Sequence, residues 1–527
     1  MIVTNTLGEL LHRARIGQIA AVPVRGATGS SHVACPRCYF VFGTRNEQHG
    51  IAAACERCRD RFANLALAAN TGDESEHLYS CGISLLERGM QPARSYSRMH
   101  RLKPISKGIG LVIVLGLAMI GLMSVTRGTP LRRVVHGVPG RAPSVSDSSF
   151  RALMALLAGV HLESGNRVEQ LLNGDETYPR LWADLRAAQQ TITVQNYYSK
   201  PGAVADSLAA ILAERAIAGV QVRLLLDAFG SQSLPDSWTE RLERAGVHVA
   251  KLRKLKWYSI HNASERSHVR AFVIDGRIGY TGGFGLADYW LGDGRHDDQW
   301  RESNVRFEGP AVNDLQAAFA AAWVEATGEL LVDQRLFPPA TALGGMTAGM
   351  LFTAPTRGST TAERFLALTI AGAARTLYVA NSYFVPDDDF RDLLTAAVTR
   401  GVDVRILTAS HKSDVLITWY GGRARYPPLL RGGVRIYEYE PTMMHSKTIV
   451  ADGLWGSIGA MNFDNRSLAF NNESNVVVWD RQFGALMDAT FLDDLRYSRE
   501  ITLTEFERRP WVSRMVELAA SVMQRLL

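Results

Sequence analysis

From about residue 151 onward the sequence predicts an α/β fold, internally duplicated, with two mixed-sheet lobes and one active site between them, behind an N-terminal transmembrane anchor. Three observations predict it. Apolar, strand-like runs alternate with helix-length segments. The same order of segments returns roughly 180 residues later. One uncharged run, Gly108 to Thr126, has the length of a bilayer crossing.

Taken in order, Arg180 to Gln190 reads as a helix, and Thr191 to Tyr198 (TITVQNYY) alternates and then stops, as a strand does. A helix over about Ala203 to Ala218 leads into Gly219 to Leu226 (GVQVRLLL), whose continuous apolar character suits a strand buried on both faces. The second half repeats this. Leu377 to Phe384 mirrors the first strand, Phe390 to Arg400 supplies the helix, and Gly401 to Leu407 mirrors Gly219 to Leu225. Arg244 to Val249 is echoed by Arg431 to Ile436, and His268 to Asp275 by His445 to Asp452. One matched pair is weak; four in the same order at offsets of about 177 to 187 residues predict a duplication with halves at 151–340 and 341–500. The tail, 501–527, places Trp511, Met515, Leu518, Ala519, Val522 and Leu526 at helical spacing and predicts an amphipathic helix packed on the body, with a membrane-surface helix as the alternative.

Ahead of the duplicated body lie three other segments. Residues 1–98 hold Cys35, Cys38, Cys55 and Cys58 as two C-x-x-C knuckles, the spacing of a structural zinc ribbon with four thiolates on one tetrahedral ion. A closed four-sulfur shell leaves no position for a substrate. Residues 108–126, at ~1.5 Å per residue, come close to the thickness of a bilayer core. Met99 and the basic residues after it resemble the start of a signal anchor. Basic residues crowd both flanks, so the charge bias leaves the side of the catalytic body open. Residues 127–150, rich in Arg, Gly, Pro and Ser, read as a linker.

The repeated motif carries the chemistry. On a strand, residues i and i+2 share a face, so His445 and Lys447 point together into one cavity while Asp452 closes the strand. The first copy is His268, Arg270 and Asp275. This pattern suits a phosphodiester. A cation neutralises the non-bridging oxygens as charge builds. One histidine attacks phosphorus, splitting a hard displacement into two easier ones. The leaving alkoxide needs a proton from the opposite side, hence a second histidine. Two copies facing each other supply both.

On these residues the chain resembles the phospholipase D superfamily and, within it, bacterial cardiolipin synthases, over roughly residues 160 to 520. The supporting strings are Gly165 to Gly174, Trp300 to Val312, Tyr383 to Asp387, Met444 to Lys447 and Asn462 to Leu468. The resemblance implies a phospholipase D-like fold and a phosphatidyl transfer through phosphohistidine, with no cofactor for catalysis. It makes His268 the nucleophile and His445 the acid and base. Glu302 and Glu473 orient the histidines, and Asn462 helps hold phosphate. Phosphatidylglycerol is the implied donor and acceptor, and the inner cell membrane, crossed once, the implied location. Three positions depart from the family pattern: Arg270 stands for lysine, Gly285 for asparagine and Ala460 for serine. Arginine keeps the charge but presents a planar fork. A hydrolytic phospholipase D, and a nuclease-type or inactive relative, are the alternatives.

Composition sets the outer bounds. The net charge of +6 suits an anionic partner, membrane or nucleic acid, without choosing between them. A nucleic-acid reader calls for a dense basic stripe with stacking aromatics, which the sequence lacks, so no nucleic-acid partner is expected. The duplicated body has no cysteine, which excludes a disulfide framework there.

Overall fold

The computed structural model describes residues 142–254, 265–355 and 358–522, with isolated positions between 110 and 134. Cys35, Cys38, Cys55 and Cys58 lie outside the described residues, as does most of 108–126. Among the described residues no helix is long and apolar enough to cross a membrane.

The first half runs α1 (Ser148–Ala158), β1 (Glu163–Leu172), α2 (Asn173–Ala187), β2 (Thr191–Asn196), α3 (Ala203–Ile217), β3 (Gln221–Asp227), α4 (Asp236–Arg244), β4 (His248–Leu252), β5 (Ala271–Ile274), β6 (Ile278–Gly282), β7 (Trp300–Arg301), β8 (Ser303–Glu308) and α5 (Ala311–Thr327). Asp147 caps α1 through the N–H of Ser149, so the helix begins inside the segment read as linker. The second half runs β9 (Met346–Thr353), α6 (Thr361–Gly372), β10 (Thr376–Asn381), α7 (Asp388–Thr399), β11 (Asp403–Ala409), α8 (Leu416–Arg423), α9 (Tyr426–Arg431), β12 (Arg435–Tyr439), β13 (Met443–Met444), β14 (Lys447–Ala451), β15 (Trp455–Gly459), α10 (Asn465–Ala469), β16 (Glu473–Trp479) and α11 (Arg481–Leu495). The chain ends with β17 (Ser498–Ile501), α12 (Leu503–Glu507) and α13 (Trp511–Val522).

The strand order is β17-β12-β11-β10-β14-β15-β16-β9-β1-β8-β6-β5-β2-β3-β4. Read outward from the β9–β1 junction, the two sides match strand for strand, with β17 added at one edge. Within this fifteen-stranded sheet, three strands of each half are parallel (β2-β3-β4 and β10-β11-β12) and the other pairs are antiparallel, while β7 and β13 form a separate parallel pair. This is the mixed α/β sheet expected twice over. What the sequence did not reveal is that the two sheets run on into one another, β1 pairing β9 across a register shift. One apolar cluster joins Val273, Val305 and Phe307 of the first half to Met350, Val476 and Val478 of the second. The halves at 151–340 and 341–500 therefore belong to one packed body.

The tail corrects an expectation. It is a strand end and two helices, and α13 does not bury its apolar face. Trp511, Val512, Met515, Val516 and Leu518 are exposed, while Glu517 and Ala520 face the body. The reason is an ion-pair cluster: Glu517 accepts from Arg423 (3.2 Å) and pairs with Arg509 (2.7 Å), which fixes the rotation of the helix.

Candidate active site

Both motif copies end in an Asp-Gly hairpin. Asp275 and Gly276 have φ of 52° and 60°, and Asp452 and Gly453 have φ of 57° and 59°. Two successive positive φ values close a type I′ turn, whose twist matches the flanking strands β5–β6 and β14–β15. The carboxylates then reach sideways. Asp275 accepts the backbone N–H groups of Gln189 (2.9 Å), Gln190 (2.7 Å) and Thr191 (2.9 Å), the entry to β2. Asp452 accepts those of Ala374 (3.0 Å), Arg375 (2.7 Å) and Thr376 (3.0 Å), the entry to β10. This corrects the grouping of Asp275 and Asp452 with the catalytic residues. Their oxygens are occupied by main-chain donors, and they hold turn and strand in register.

The hairpins bring the basic residues of the two copies into equivalent places. Arg270 donates to the carbonyl oxygen of His268 (2.9 Å) and to that of Phe284 (3.1 Å). Lys447 donates to the carbonyl oxygen of His445 and to the Ser382 hydroxyl (2.8 Å). Both side chains are buried. Arg270 thus makes the same backward contact as Lys447, with a fork that also takes a second carbonyl.

The histidines are held from the opposite lobe. His268 N–H donates to the Asn472 carbonyl (2.9 Å), which sets His268 beside Glu473 at the start of β16. β13 pairs in parallel with β7, and His445 N–H donates to the Arg301 carbonyl (2.7 Å), which sets His445 beside Glu302. The side chains follow. His268 Nδ1 lies 2.8 Å from Glu473 Oε2, and His445 Nδ1 lies 2.5 Å from Glu302 Oε2. Each carboxylate therefore orients the ring of the other half. With Nδ1–H donated to a carboxylate, Nε2 is the nitrogen directed to chemistry. The remaining oxygens are also bound: Glu302 Oε1 by Ser303 N–H (3.0 Å) and Glu473 Oε1 by Asn471 Nδ2 (3.1 Å). Between the lobes, Arg301 forks onto Asp494 with both bonds at 2.8 Å, locking the strand that carries Glu302.

Burial opposes every charge here. It lowers both imidazoles well below their usual range, and the Arg270 and Lys447 cations lower them further. Burial pushes Glu302 up to about 7 and Glu473 up to about 8. It brings Lys447 down to about 7, against the pull of Glu302. The site without substrate is therefore poised to hold neutral imidazoles beside a few cations, and an anionic phosphate would relieve the crowding of positive charge.

Asn462 lines a small cavity with Lys447, Asn381 and Asn475. Its Oδ1 is buried and has no hydrogen-bond partner among the described residues. Gly285 has a steric reason. A Cβ there would sit 2.6 Å from the Trp290 ring and 2.8 Å from the Tyr198 carbonyl oxygen. The indole fills the space beside Gly285, and its Nε1 reaches Glu302 (3.4 Å). Ala460 donates its N–H to Asn475 Oδ1 (3.2 Å), a contact that needs no side chain.

Several residues of the site escaped the sequence reading. Tyr197 stands edge-on to His268 at 4.9 Å and Tyr383 edge-on to His445 at 6.4 Å, while Trp300 lies 4.8 Å from His445. Asn304 and Asn475 brace equivalent turns through the N–H groups of Phe284 and Met461. A signal existed: Glu302-Ser303-Asn304 and Glu473-Ser474-Asn475 are the same triplet, one in each half.

Duplicated lobes with two histidines, two cations and crossed carboxylates define a phospholipase D-like phosphodiester-transferring site. The comparisons with known proteins carry this further. Residues 181–323 and 366–495 match the family described as "Cardiolipin synthase, PLD-like domain". The chain belongs to that family, within the phospholipase D superfamily. It is 35% identical over 360 residues to the cardiolipin synthase of Geobacillus thermodenitrificans, covering 68% of this chain and 72% of the relative. It is 30% identical over 372 residues to a probable cardiolipin synthase of Bacillus subtilis, covering 70% and 74%. The fold is also that of the phosphatidylserine synthase of Haemophilus influenzae, at a TM-score of 0.54 and 12% identity, covering 72% of this chain and all of that one.

Proposed function

We propose that this chain is a membrane-anchored phosphatidyltransferase that forms cardiolipin from two molecules of phosphatidylglycerol. The crossed His268–Glu473 and His445–Glu302 pairs carry the reading, because they give one site a nucleophile and an acid that are separately oriented. Neutral His268 Nε2 attacks the donor phosphorus. His445 takes up a second proton, on Nε2, as the anionic phosphate binds, with Glu302 balancing the imidazolium. The bond from phosphorus to the glycerol oxygen breaks as that Nε2 proton passes to the oxygen, glycerol leaves, and His445 is left neutral. The terminal hydroxyl of a second phosphatidylglycerol then gives its proton to His445 and attacks the phosphohistidine. The P–N bond breaks, cardiolipin forms and His268 is regenerated. Lys447, Arg270 and Asn462 hold the non-bridging oxygens, where preorganised donors act most strongly as charge develops. No cofactor enters any step. The apolar run 108–126 would hold the enzyme at the membrane that contains its substrate.

The test is to incubate the purified full chain with labelled phosphatidylglycerol and resolve the lipids. Cardiolipin with equimolar glycerol is expected. Phosphatidic acid alone would mean that water takes the acceptor's place, and the transferase reading would fall. His268→Ala and His445→Ala should each abolish product; a fully active His268→Ala variant would overturn the assignment of the nucleophile.

A further inference from the structure

The helix α13 is turned inside out relative to a helix that packs on a core. Its exposed positions Leu518, Trp511, Met515, Ala519, Val512 and Val516 follow one another around the axis, at 100° per residue, as an apolar arc of roughly 160°. The arc facing the body is small and polar: Ser513, Glu517, Ala520 and Ser521. A lone exposed leucine needs no account, but a continuous apolar stripe with a tryptophan 74% exposed does. The inverted rotation is held firmly. Glu517 is buried between Arg423 of α8 (3.2 Å) and Arg509 (2.7 Å), and Arg423 is tied in turn to buried Glu438 (2.7 Å). Turning the apolar face inward would strand Glu517 and two arginines without their partners.

Two further observations identify what covers the face. The first is continuity with the catalytic site. α13 packs along α8, and α8 begins at exposed Leu416 and Ile417. These follow Asp414 by two and three positions; Asp414 accepts from the Tyr383 hydroxyl (2.7 Å), and Tyr383 stands edge-on to His445. Exposed apolar side chains thus sit on two helices that pack together, one of which starts near the site. The second is charge. Arg508, three residues before the helix, and Arg514, next to the stripe around the helix axis, are both exposed. An apolar stripe with a tryptophan and flanking arginines is the composition of a helix that lies in the interface of an anionic bilayer.

We infer that α13, with the start of α8, is a docking surface for an anionic phospholipid bilayer and sets the mouth of the active site on the lipid from which the substrate is drawn. The inference rests on the phosphatidyltransferase reading for its substrate, but the docking itself is a separate physical event with its own readout.

The experiment uses the full chain with vesicles of phosphatidylglycerol and phosphatidylcholine that contain a phospholipid bearing a diazirine on its acyl chain. After irradiation, labelled peptides are mapped by mass, and lipid products are measured in the same samples. Acyl label on 511–518, well above label on the surface helix α4, is the expected result. No label on 511–518 would overturn the inference even if cardiolipin is formed; label there without any lipid product would uphold docking and overturn the transferase reading. In parallel, Trp511→Ser/Leu518→Ser should lower turnover on vesicles at least about tenfold, since two large apolar side chains no longer partition into lipid. Turnover on monomeric dihexanoyl phosphatidylglycerol should be unchanged. Equal loss on both substrates, or a dimeric wild type that the double variant converts to a monomer, would mean that the face covers protein and not lipid.

Discussion

Because each carboxylate serves the histidine of the other half, Glu473→Gln and Glu302→Gln should damage different steps. Take Glu473→Gln first. The amide has the same shape and can still accept from His268 Nδ1, so the ring keeps its orientation. Glu473 is ionised above its raised pKa of about 8, so in an assay run near pH 9 what disappears is the negative charge 2.8 Å from a ring that becomes positive as it attacks phosphorus. At an effective dielectric near 20, unit charges ~4 Å apart interact by about 4 kcal/mol. Only part of that charge has developed in the transition state, and a neutral hydrogen bond worth about 1 kcal/mol remains. The loss is then about 2–3 kcal/mol, or roughly 30–150-fold in the rate of phosphoenzyme formation. The assay is rapid-quench single turnover with a phosphatidyl ester of p-nitrophenol. That leaving group needs no proton, so the first step depends on the nucleophile alone. Glu473→Gln should slow the nitrophenol burst by the stated factor. Glu302→Gln should leave the burst intact and slow only the transfer to the acceptor alcohol. Equal slowing of the burst in both variants, or a Glu473→Gln burst within about threefold of wild type, would refute the crossed assignment.

Other outcomes follow from the same geometry. Asp452→Asn keeps a residue that tolerates φ of 57° but removes the charge that three N–H groups address, so it should destabilise the fold by about 1–3 kcal/mol in denaturant titration and leave the pH profile of the folded enzyme unchanged. Burial brings Lys447 to about 7, so it is charged below that pH, and kcat/KM for an anionic lipid should fall as pH rises through about 7. Lys447→Arg stays charged and should move that alkaline limb upward; an unmoved limb would assign it to another group, such as Glu302. Gly285→Asn, although it restores the family's residue, drives a Cβ into Trp290 and should cost about 1–3 kcal/mol of stability together with activity, and pairing it with Trp290→Gly should recover part of both.

The duplication, the α/β class and the two His-x-(Lys/Arg) pairs are legible in the amino-acid order alone, because these are local or periodic properties. Strand alternation puts residues i and i+2 on one face, and an Asp-Gly pair announces its own hairpin. That order also brought Glu302 and Glu473 into view through family likeness, but not which histidine each one serves. That choice needs the strand β7 to lie beside β13 and Asn472 beside His268, contacts between residues 143 and 205 positions apart along the chain. Spacing is silent about such contacts. The main-chain bonding of Asp275 and Asp452 is hidden in the sequence for a related reason: a carboxylate in a motif reads the same whether it faces the cavity or a neighbouring main chain. The tail illustrates a third limit. Periodicity identified the apolar face of α13, but only the buried Glu517, Arg423 and Arg509 cluster shows that this face points outward, because these charges pair with one another on the side of the helix that meets the body, and spacing along one helix is silent about partners on another.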